Sequence, residues 1–160
     1  MKKLLILSFF LLFNYIGFSQ SFNEDKTVFA NFVKRMYMAT PFEAVKVIDD
    51  YDHQYIISVI SLEKANYTNP STMNRVAQIK AQSQANTFFN GSTISSDIVI
   101  KTTQKKSKDS TNTIVETIES IKENAMGFTK GLELLTNFEN TDGKRMVFIY
   151  YRELIKNQLK

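Results

Sequence analysis

The chain has 160 residues, with 20 Lys and Arg against 16 Asp and Glu, one His, and neither Cys nor Trp. The absence of Cys excludes disulfides, thiolate metal sites, thiol nucleophiles and a lipidated cysteine, and it leaves His53 as the sole candidate for any His-based triad. Two of the positive charges, Lys2 and Lys3, open the chain; the rest is nearly neutral, which argues against nucleic acid as a partner.

Lys2 and Lys3 precede an apolar run from Leu4 to Phe13 broken only by Ser8, and Gly17-Phe18-Ser19 places small residues before a cleavage point. The pattern predicts a signal peptide over 1–19, cut near Ser19/Gln20. The run has roughly half the twenty or so residues that span a bilayer, so no transmembrane anchor is expected. The product would be periplasmic or secreted, with 20–160 forming a single domain. Its aromatic supply, including most of the 13 Phe, suffices for a core held by burial and hydrogen bonds.

Asn23 or Asp25 can cap a helix from about Lys26, because Phe29, Phe32, Val33, Met36 and Tyr37 recur at helical spacing; Thr40-Pro41 ends it. Phe42 to Ile48 alternates as a partly exposed strand, and Tyr55 to Leu62 is rich in β-formers on both faces, as in a central strand. The polar group Asp49 to His53 would be their hairpin turn. Asn69-Pro70 leads into an Ala-rich amphipathic helix over about 71–89, with Met73, Ala77, Ala81, Ala85 and Phe88 on one face and Gly91 beyond its end.

Ile94, Ile98 and Ile100 lie on one face of a period-two pattern. A lysine-rich loop, 104–112, then joins it to a Thr/Ile/Val-rich run over 113–121. β-Branched richness favours a strand there, although Ile114, Ile118, Ile121 and Ala125 also fit a helix. Gly127 and Gly131 suggest a kink or bulge, Asn140-Thr141-Asp142-Gly143 a hairpin turn, and Met146 to Tyr151 a closing strand before a polar tail. The expected class is α+β: the Ala-rich helix on a mostly antiparallel sheet of about five or six strands, with an additional N-terminal helix.

Three of these elements carry a resemblance to known proteins: the helix from Arg75 to Phe89, the Gly127-Phe128-Thr129-Lys130-Gly131 segment, and Asp142-Gly143-Lys144 feeding the strand Val147 to Tyr151. Over roughly 54–152 the chain resembles envelope modules of the LPP-twenty lipoprotein type and the amino-terminal domain of flagellar assembly protein T. The resemblance implies a secreted or periplasmic module used for assembly rather than catalysis. It supplies no catalytic residues.

Asp49, Asp50, Asp52 and His53 are the only sequence cluster able to ligate a hard cation or move a proton, but short polar residues are also ordinary turn formers, and the plain turn is the expectation. Their spacing departs from a calcium loop. No cofactor is expected, and catalysis is not: a hydrolase using Asp52 and His53 ranks last. Lys105, Lys106 and Lys108 form a basic arm suited to an anionic envelope surface. Tyr150 and Tyr151 alternate faces on the last strand, where an outward row at a sheet edge would suit docking. The leading functional expectation is therefore an exported, non-catalytic protein that binds an envelope protein or itself. The alternative is a binder of a small ligand or envelope glycan between helix and sheet.

Overall fold

The structure, a computed structural model, describes residues 24–50, 53–91, 99–101, 118, 119, 121 and 124–154. In chain order these form α1 (Glu24–Ala39), β1 (Val45–Asp50), β2 (His53–Glu63), α2 (Pro70–Gly91), β3 (Val99–Lys101), α3 (Ala125–Lys130), β4 (Glu133–Glu139) and β5 (Arg145–Glu153). The strands make one five-stranded sheet in the order β3-β1-β2-β5-β4. All neighbours are antiparallel except β1 and β3, so the expected α+β class holds with a mixed sheet. Among the described residues no helix is long and apolar enough to cross a membrane. The leader and its cleavage point lie outside the described residues.

β2 is the central strand, and the alternation of a strand sends its residues to two separate cores. Ile56, Ile60 and Leu62 face α2, whereas Ile57 and Val59 face α1. Each fully buried aliphatic side chain contributes about 1.5–3 kcal/mol, so a strand covered on both faces anchors the domain twice over.

Asn69 starts α2: its Oδ1 accepts the Ser71 backbone N–H at 2.8 Å, and Pro70 occupies the first helical position, where its missing donor costs nothing. Met73, Ala77, Ala81, Ala85, Phe88 and Phe89 are its buried residues. Alanine at the middle positions brings the backbone close enough that the Ser58 hydroxyl on β2 lies 3.2 Å from the Ala81 carbonyl oxygen while donating to Gln84 Oε1 at 2.6 Å. Buried Ser58 is thereby satisfied. On the opposite face α1 buries Val33 and Tyr37, and Tyr37 meets Phe138 edge-on with ring centroids 5.5 Å apart. Asp25 falls inside this helix rather than at its cap.

Several sequence expectations are corrected. The strand expected over 113–121 is not found at its described positions: residues 118, 119 and 121 are helical, and Ile118 is fully buried in the α2-side core with Ala125. Helical spacing brings Ile118, Ile121 and Ala125 to one side, and that burial outweighs the β-branched preference. Positions 113–117 and the loop 104–112 lie outside the described residues. Gly127 and Gly131 do not bracket a bulge. Gly127 sits inside α3, which Asn124 caps by accepting the Gly127 N–H at 3.3 Å, and Gly131 follows the helix. The bulge lies further on, between Leu134 and Thr136, and shifts the alternation so that Leu135 and Phe138 enter the same core.

The 140–143 turn is as expected. Asn140 N–H donates to the Arg145 carbonyl and Gly143 N–H to the Asn140 carbonyl, both at 3.0 Å, with Gly143 at φ 68°. β5 then runs longer than the sequence suggested, to Glu153, absorbing the start of the expected polar tail.

Candidate functional site

Strand pairing decides where the polar groups go. Asp50 is paired with His53 across β1 and β2, so only 51 and 52 lie between the strands and the hairpin is shorter than the five-residue turn expected. Asp49, one residue earlier, is 8% exposed and belongs to the opposite face of the sheet, because neighbouring strand residues point apart. The cluster of Asp49, Asp50, Asp52 and His53 is therefore divided by the sheet itself; Asp52 lies outside the described residues. Among the described residues no group of three His, Asp or Glu side chains is placed to hold a metal ion.

His53 instead meets a residue a hundred positions away. Its Nδ1 lies 2.7 Å from Glu153 Oε1. An ionised carboxylate only accepts, so Nδ1 carries the proton and donates in this contact. Both side chains are about half exposed, at 55% and 51%, and the pair sits at the mouth of a groove rather than in the core.

That groove, of about 980 Å³, opens between α1 and one end of the sheet. The end of β1 contributes Asp50, the start of β2 His53 and Tyr55, the start of β4 Glu133, and the end of β5 Tyr151 and Glu153, with Phe29, Phe32 and Arg35 descending from α1. The register makes these neighbours: Tyr55 pairs with Glu153, and Glu133 with Tyr151. Its volume falls in the range of about 300–1,000 Å³ typical of small-ligand sites.

The floor is aromatic. Phe29 packs on Tyr55 with centroids 4.5 Å apart and on Tyr151 at 5.9 Å, and Tyr55 stacks under the His53 ring at 6.0 Å. Lys26 Nζ stands 5.1 Å from the Tyr151 ring centre and 3.7 Å from Glu133. Arg152 reaches the Phe128 carbonyl at the C-terminal end of α3 and stands over the Phe128 ring, Cζ 4.3 Å from its centre. This fits a cation at the negative end of a helix. Gly131 allows that path, since a Cβ there would come within 2.7 Å of the Arg152 Cζ.

Phe32 makes no ring contact and Arg35 no ion pair or hydrogen bond with the described residues, although both line the α1 wall. They stand three apart, hence on one helix face.

The sequence-predicted binding residues separate. Lys105, Lys106 and Lys108 lie outside the described residues. Tyr151 lines the groove. Tyr150, on the other face, is 4% exposed, its hydroxyl donating to the Asn74 carbonyl at 3.3 Å, and burial raises its pKa. The aromatic row does not stand at an edge: β5 lies between β2 and β4, because β4 adds outside it. Sequence reasoning also passed over Glu153 and Arg35, which only the fold brings to one groove. Comparison with protein families, curated proteins and solved structures finds no match to this chain.

Proposed function

We propose that this chain is a non-catalytic binding module, acting after export, that takes a small polar ligand in the groove between α1 and the sheet. The observation that carries the reading is the convergence on one concavity of an aromatic floor and both signs of charge from five elements. Such sites combine apolar surface for affinity with a few polar groups for orientation. The charged and apolar leader supports action outside the cytoplasm.

The reading displaces assembly through a sheet edge from first place. β4, at one edge of the sheet, is bulged and carries Glu133 and Glu139, features that discourage edge-to-edge pairing. Thermal-shift screening of the chain against sugars, amino acids, nucleosides and lipids tests the proposal. A ligand of the groove raises the melting temperature with concentration, by about 2.7 kcal/mol of stabilisation at a hundred times Kd, and perturbs amide resonances of Phe32, His53 and Tyr151. Binding of a protein partner with no perturbation of those resonances would overturn it.

A further inference from the structure

Resting on the reading of the groove as a ligand site, we infer that its ligand is a saccharide bearing a carboxylate, a uronic acid unit. Most of the charge in the groove is already committed: Glu153 to His53, Glu133 to Lys26, and Arg152 to the end of α3. Among the described residues Arg35 makes no ion pair or hydrogen bond, and it stands on the same helix wall as Phe32, a half-buried ring that packs on the α1-side core and lines the groove. A planar fork of donors is matched by a carboxylate, which it grips through two parallel hydrogen bonds. Phe32, half-buried where it lines the groove, offers apolar surface suited to the C–H face of a pyranose ring. A pyranose also carries several hydroxyls that can donate to carboxylates, and Asp50 and Glu153 line the facing wall.

Competing ligand classes fit less well. A simple inorganic anion leaves the aromatic surface unused, and a fatty acid brings no hydroxyls to the polar wall. The volume of about 980 Å³ has room for more than one sugar unit, so a short oligouronide is the natural probe.

The test is titration of the full chain with trigalacturonate and with the neutral trisaccharide maltotriose, followed by calorimetry and amide chemical shifts. Trigalacturonate should bind at least tenfold more tightly than maltotriose and move the resonances of Phe32 and Arg35. Arg35→Gln should abolish that preference without shifting the melting temperature, since Arg35 is exposed and unpaired among the described residues. Phe32→Leu should weaken trigalacturonate while leaving the charge preference in place. Equal affinity for the two sugars, a preference that survives Arg35→Gln, or no saccharide binding overturns the uronate assignment. If another ligand class then moves the groove resonances, the binding-module reading stands; if none does, that reading falls as well.

Discussion

Gly143 and Tyr150 show how single residues are tied to the backbone geometry around them. Gly143 sits at φ 68°, where a side chain crowds its own backbone. Gly143→Ala should cost about 1–2 kcal/mol, read as a lower urea midpoint at unchanged slope. For Tyr150, burial raises the hydroxyl pKa above the usual 10.0. In alkali the unfolded chain therefore releases this proton before the folded one does. Stability from this residue is full below pH 10 and is lost as pH climbs through the folded value. Tyr150→Phe should remove that alkaline loss. It should also cost about 0.5–1.5 kcal/mol near neutrality for the bond to Asn74. Denaturation curves at pH 7 and above pH 10 check both effects.

At the level of elements, α2 packs closely on β2 through Ala77, Ala81 and Ala85 against a strand that presents Ser58. Ala81→Leu should destabilise by about 1–3 kcal/mol through overpacking, whereas Ile79→Leu at an exposed position of the same helix should leave thermal stability unaltered. The Ala-rich helix and its capping Asn69-Pro70 were legible from spacing alone, because a regular pattern of small apolar residues admits few other uses. The stretch 113–121 was less legible: β-branched residues suit strand and buried helix alike, and only the neighbours of Ile118 decide between them. Arg145 is a similar case. Its guanidinium reaches the Ser61 hydroxyl at 2.6 Å, the Ser61 carbonyl at 2.7 Å and Glu43 at 2.9 Å, links invisible until β2 and β5 are paired.

Across the whole molecule, α1 is both a cover for one core and a wall of the groove. Without it Ile48, Ile57, Val59, Val147 and Ile149 would face water. A chain beginning after Ala39 should therefore bind a hydrophobic dye and aggregate, while retaining the far-ultraviolet signature of its sheet; gel filtration and dye fluorescence test this. An unchanged monomer that binds no dye would show that the α1-side core is dispensable. The groove belongs to this scale too, since no element alone supplies more than one wall.

Periodicity and turn chemistry by themselves determined the class, the two long helices, the central strand and the Asp142-Gly143 hairpin, because each depends on forces acting within a few residues. Tertiary structure alone decided that Asp49 and Asp50 part to opposite faces, that β5 is interior, and that His53 meets Glu153 across a hundred residues. Those outcomes depend on strand order and register, which are set by how complete cores close rather than by any local preference.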